Sequence, residues 1–136
     1  MAGFRFAGVL MLVCLLAGCP DATRAPTADN LLSDYGAAIR WNEFDKALDF
    51  IEPALRQASP PTELDRERFK QVQITGYEVK DRDIAADGSV TQRVEIRLVN
   101  RNTQIERSFT DHQAWRFDPA SKRLWLTSGL PDLSQR

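Results

Sequence analysis

Few side chains in this 136-residue sequence are of a type and spacing that does chemistry. Asp111 and His112 are adjacent, so on a strand they point to opposite faces and cannot form a dyad with each other. By parity Asp111 belongs with Phe109 and Trp115, where burial tunes a carboxyl toward a base. His112 falls with Glu106, Thr110 and Arg116 on the solvent side. Tyr77 offers a phenolic donor. Trp41, Trp115 and Trp125 are candidates to rim a ligand cavity, although aromatic residues in a small core more often fill volume. Arg93, Arg97, Arg101 and Arg107 form a candidate basic patch, with Glu95 and Glu106 placed to neutralise it across strands. A single His and two Cys make no zinc cage, the Asp residues lack a calcium-loop spacing, and no phosphate loop or GxSxG is present. Nothing demands a cofactor.

Basic residues number 18 against 19 acidic, for a net charge of -1, which gives no overall field for holding nucleic acid. A 43% hydrophobic fraction with 27% charge argues for one ordinary folded domain. Part of that fraction lies in the first eighteen residues, where Arg5 is the only charge and Phe6 to Leu16 form an apolar run. The run is long enough for a signal segment but short of the roughly 20 residues that span a bilayer as a helix.

The segment closes on Leu16-Ala17-Gly18-Cys19, which resembles the lipobox of bacterial lipoproteins. The resemblance implies cleavage before Cys19, a thiol that becomes the acyl acceptor, and a periplasm-facing protein held by lipid. Cys14 would leave with the signal, so the mature chain would keep no thiol for a disulfide, a metal or catalysis. By the family's sorting rule an Asp directly after the Cys favours the inner membrane; Pro20 stands there instead, so the outer membrane is favoured. Residues 19–28 read as a tether, with Pro20 and Pro26 interrupting a small, polar stretch.

The folded part is expected over 29–136. Asp29 is placed to cap a helix carrying Leu31, Leu32, Tyr35, Ala38 and Ile39 at helical spacing. Asn42 with Asp45 forms an approximate capping box for a second, which Pro53 ends or kinks near Leu55. Ser59-Pro60-Pro61 is a stop, and Thr62 with Asp65 caps a short third helix to about Arg68. Strands follow. Apolar parity changes at Gly76, which predicts a bulge that bends a long strand. Asp87-Gly88 predicts a hairpin, and Val90, Val94, Ile96 and Leu98 form one face of the next strand. Ile105, Phe109, Trp115 and Phe117 share a parity on the third. Leu124 and Leu126 lead a fourth with Trp125 facing the other way, and the tail from Gly129 reads as polar and loose. The expected class is α+β, two to three N-terminal helices packed on a curved four-stranded antiparallel sheet.

Tyr35 to Phe50 (YGAAIRWNEFDKALDF) and the C-terminal WRFDPASKRLWL resemble the paired helices and last hairpin of the nuclear transport factor 2-like superfamily. Members usually carry a short strand between the second and third helices, where this chain has Pro53 and the Ser59-Pro60-Pro61 stop. A second likeness is to the small two-helix lipoprotein of the outer-membrane barrel-assembly machinery, whose Gly-rich interhelical turn is replaced here by Trp41-Asn42-Glu43. The superfamily's cone-shaped pocket hosts enzymes such as ketosteroid isomerase and also members that only bind. The resemblance therefore implies either a non-catalytic binding or assembly accessory of the envelope, engaging a protein partner or small ligand, or a pocket enzyme with Asp111 as base and Tyr77 as donor. Self-association as a homodimer through the open sheet face is a further implication.

Overall fold

The first helix begins two residues earlier than the sequence pattern indicates. The computed structural model describes residues 27–134. The signal segment, Cys19 and the tether through residue 26 lie outside the described residues. Thr27, not Asp29, caps α1 (Ala28–Arg40), its hydroxyl accepting from the Asn30 amide. Asp29 sits in the first turn, where it favours the helix dipole and pairs with Arg82 at 3.0 Å. The expected stripe of α1 is buried at Leu31, Leu32, Tyr35, Ala38 and Ile39. Each large side chain removed from water there contributes about 1.5–3 kcal/mol.

The expected second helix is divided into α2 (Phe44–Leu48) and α3 (Pro53–Ala58). Residues between them run beside the last strand: Leu126 donates to the Phe50 carbonyl at 2.8 Å, Glu52 donates to the Leu126 carbonyl at 3.0 Å, and Ile51 makes a parallel bridge to Leu126. Pro53 then serves as the first residue of α3, where its missing N–H costs nothing. The Asn42–Asp45 box does not form, because α2 starts from Glu43 without a side-chain cap. Asn42 adopts a left-handed φ of 58° and spends its amide elsewhere, donating to the Phe69 and Val72 carbonyls and accepting from the Ile74 N–H. The Thr62–Asp65 capping box is complete and starts α4 (Glu63–Gln71).

Strands β1 (Val72–Ile84), β2 (Val90–Asn100), β3 (Glu106–Asp118) and β4 (Arg123–Leu126) make one antiparallel sheet in the order β1-β2-β3-β4. The β1–β2 register shifts between Ile74 and Gly76, at the predicted change of phase, and again between Val79 and Asp81. On β2, Val90, Val94, Ile96 and Leu98 are buried in the core. The architecture is α+β, helices against an antiparallel sheet. Its aromatic centre is Tyr35, Phe50 and Trp115, edge-on to one another, with ring centroids 5.0 Å apart for Tyr35 and Trp115. Among the described residues no helix is long and apolar enough to cross a membrane. The tail is not loose up to Leu133: Leu130 and Leu133 pack onto the core, so apolar spacing in that short stretch outweighs its polar composition.

Candidate functional site

Strand alternation places Gln92 and Gln113 on the inner face of the sheet, opposite each other in the β2–β3 register, and both are buried at 3% and 2% exposure. Two amides inside an apolar layer must satisfy their polar atoms locally. Gln113 does so as a hub. Its Nε2 donates to the Tyr77 hydroxyl at 3.0 Å and to Asp111 Oδ2 at 2.8 Å, while its Oε1 accepts from Gln92 Nε2 at 2.7 Å and Trp115 Nε1 at 3.4 Å. Gln92 in turn accepts from Arg82 Nε at 3.0 Å. Asp111 and Tyr77 are thus brought to one side chain, as their parity implies, and Gln113 occupies the space between them.

Space for Tyr77 comes from Gly36. A Cβ at Gly36 would fall 2.9 Å from Tyr77 Cε1, closer than packed atoms tolerate, so α1 and β1 approach only because that atom is missing. Tyr35, one residue earlier, is wholly buried and its hydroxyl has no hydrogen-bond partner among the described residues. Burial, then the nearby Asp111 and Tyr77, hold its ionisation well above the ordinary tyrosine range. Burial likewise pushes Tyr77 up to about 12, against the Gln113 hydrogen bond, and raises the Asp111 carboxyl, opposed by Gln113 and by His112. A carboxyl raised by desolvation is suited to proton transfer near neutrality, but a base must also reach a substrate.

The three tryptophans do not rim one cavity. Trp41 caps α1 and is 72% exposed, Trp115 is 2% exposed in the aromatic centre, and Trp125 is half-buried with the Arg123 guanidinium 4.3 Å from its ring centroid. Parity along a strand says which face a residue takes, not which layer covers it. His112 is exposed, as expected. The arginine set is not one basic face: Arg93 pairs with Asp81, Arg101 donates to the Val72 carbonyl, and Arg107 donates to the Leu133 carbonyl. Arg97 lies over Gly76, and Lys80 joins Glu78 to Glu95. Among the described residues no group of three or more His, Cys, Asp or Glu is placed to hold a metal ion.

A groove absent from the sequence expectations lies between α2, α3, α4 and the segment after β4. It has a volume of about 470 Å3, and Phe44, Leu48, Ile51, Leu55, Phe69 and Leu133 supply its apolar wall. Arg56 and Arg68 stand at it with Asp65 and Asp132, so its rim is of mixed charge. The size falls in the range of small-molecule sites. The signal for it was the apolar spacing of Leu130 and Leu133, which brings the C-terminal segment back over the helices.

No protein-family model matches the sequence, and no curated protein is significantly similar to it. Among solved structures, the solution structure of a SEC-C motif containing protein from Rhodopseudomonas palustris is similar in fold. It has a TM-score of 0.60 at 16% sequence identity, covering 77% of this chain and 79% of that one. Identity that low speaks to the shared α+β arrangement and to nothing further.

Proposed function

We propose that the chain is a bacterial envelope lipoprotein acting as a non-catalytic binding or assembly accessory. In this reading residues 1–18 are removed as a signal peptide, Cys19 carries the lipid and the residues up to 26 tether the domain. The remainder, whose first helix is capped by Thr27, forms a nuclear transport factor 2-like unit facing the periplasm, its principal helices lying on a curved sheet. Two features support the fold assignment. The Ile51–Leu126 bridge stands where that superfamily's short strand is expected, and the register shift beside Gly76 is of the kind that bends strands. Pro20 after Cys19 favours the outer over the inner membrane.

The observation that carries the binding role is the groove at Leu48, Leu55, Phe69 and Leu133, a concave apolar surface with a few polar groups at its edge. It suits an apolar side chain of an envelope partner or a small ligand. In cells fed labelled palmitate, label is expected on the wild-type protein and not on Cys19→Ser; an unlabelled wild type removes the anchor. A photoreactive residue in place of Leu55, which is 41% exposed, is expected to crosslink a defined envelope component, whereas one in place of Glu78 on the opposite sheet face is not. Identical products from both positions overturn the binding role.

A second reading, a small pocket enzyme of the ketosteroid isomerase-like type with Asp111 as base and Tyr77 as donor, draws on their shared contact with Gln113. It requires a ligand that displaces Gln113 and thereby frees Trp115 Nε1, which changes tryptophan emission. Steroid enones that leave the emission unaltered set this reading aside. Homodimerisation through the sheet face is removed by a monomeric elution profile.

A further inference from the structure

The junction of α1, α4, β1 and the β2–β3 turn brings an exposed tryptophan among cations. Trp41 ends α1 with the Arg40 guanidinium 5.4 Å from its ring centroid. Asn42 beside it bonds to Phe69, Val72 and Ile74, and the Arg101 backbone donates to the Gln71 carbonyl at 2.8 Å, so the turn carrying Arg101 and Ile105 reaches the same corner. Ile105 is 58% exposed. Lys46, Arg66, Lys70 and Arg101 surround the adjoining hollow over Phe44 and Phe69.

Carboxylates offset only part of this charge. Glu43, Asp45 and Glu67 pair with Lys46, Arg66 and Lys70 at exposed positions. Arg40 and Arg101 donate to the main-chain carbonyls of Ile74 and Val72 and face no carboxylate among the described residues. One Trp and one Ile separated by polar groups are too little apolar surface for the core of a stable protein interface. An indole flanked by cations is instead the arrangement that settles at the headgroup level of a bilayer, and the excess positive charge favours anionic lipid.

We propose that this corner, with Trp41 at its tip, lies on the surface of an anionic phospholipid bilayer and holds the tethered domain against it. The proposal rests on the lipid-anchor reading, and the reach is sufficient. The eight peptide steps from Cys19 to Thr27 span at most roughly 26–29 Å. Trp41 lies about 20 Å along α1 from its start.

Lipidated wild-type protein reconstituted in phosphatidylcholine vesicles with and without phosphatidylglycerol, using acyl-brominated lipid as quencher, tests the contact. Trp41 emission, taken as the difference from Trp41→Phe, is expected to be quenched several-fold more with phosphatidylglycerol. Raised salt and the exposed pair Lys46→Glu/Lys70→Glu are each expected to remove most of that difference. Protein that sediments with the vesicles while Trp41 emission stays unquenched in both compositions overturns the docking and leaves the anchor intact. Protein that carries no acyl chain overturns the anchor, and the same quenching comparison at higher vesicle concentration still decides the docking. Crosslinking of Trp41 to a protein in place of lipid also overturns it.

Discussion

Gly36 and Tyr77 fit only as a pair: the side chain that α1 lacks is the volume that the β1 phenol ring occupies, with Cε1 2.9 Å and Cδ1 3.3 Å from where a Cβ would stand. This close approach holds the Tyr77 hydroxyl at Gln113 and joins the helix layer to the polar group in the sheet.

Gly36→Ala is therefore expected to destabilise the protein by about 1–3 kcal/mol through overpacking, although alanine is the better helix former. In a Tyr77→Ala background the same change is expected to be neutral or stabilising. Urea unfolding midpoints of the four proteins give the coupling, and additive effects would contradict the contact.

Gln113→Leu is expected to cost about 2–4 kcal/mol, because it strands the Tyr77 hydroxyl, Asp111, Gln92 and Trp115 Nε1 together. Gln92→Leu, which leaves Gln113 bonded to Tyr77 and Asp111, is expected to cost less. Equal losses in chemical denaturation would mean that Gln113 is not the hub.

Asp111 titrates in a direction set by its burial. Its folded-state pKa is raised above the ordinary carboxyl value, so the native chain binds that proton more tightly than the unfolded chain. The resulting stabilisation is full below the unfolded pKa of about 4 and is lost as pH rises through the folded value. Asp111→Asn, which still accepts from Gln113, is expected to exceed the wild type in stability at pH near 7 and to lose that advantage at pH near 4. A pH-independent difference between the two proteins would refute the assignment.

Asn42 joins two separate requirements, a left-handed backbone at φ 58° and three side-chain hydrogen bonds to α4 and β1. Asn42→Gly retains the first and loses the second, at an expected cost of about 2–3 kcal/mol. Asn42→Ala loses both and is expected to fall about 1 kcal/mol further. Thermal melts that rank the two the other way would contradict this division.

Local signals carried much of the fold. The α1 stripe, the Thr62–Asp65 box, the alternation of Val90 to Leu98 and the phase change at Gly76 each depend on residues a few positions apart, and all reappear in the structure. Asp111 and Tyr77 both reach Gln113 because parity places them on the inner face. What sequence spacing did not convey is tertiary. Gln92 and Gln113 sit on apolar parities and were legible as polar interruptions, but their mutual bond needs the β2–β3 register. Asn42 resembles a cap until α4 and β1 supply nearer partners. Leu130 and Leu133 read as tail until the groove they close is formed, and the three tryptophans scatter because each depends on a different covering layer.

Residues 50–52 cover the outer side of β4 at Leu126, and β1 forms the sheet's other margin. Endless lateral stacking of copies needs two free borders per subunit, one to receive and one to offer. Leu126 can take neither role, because its amide and carbonyl are already bonded to Phe50 and Glu52; growth on that side is blocked there alone, while Glu106 to Gln113 of β3 have no strand beyond them among the described residues.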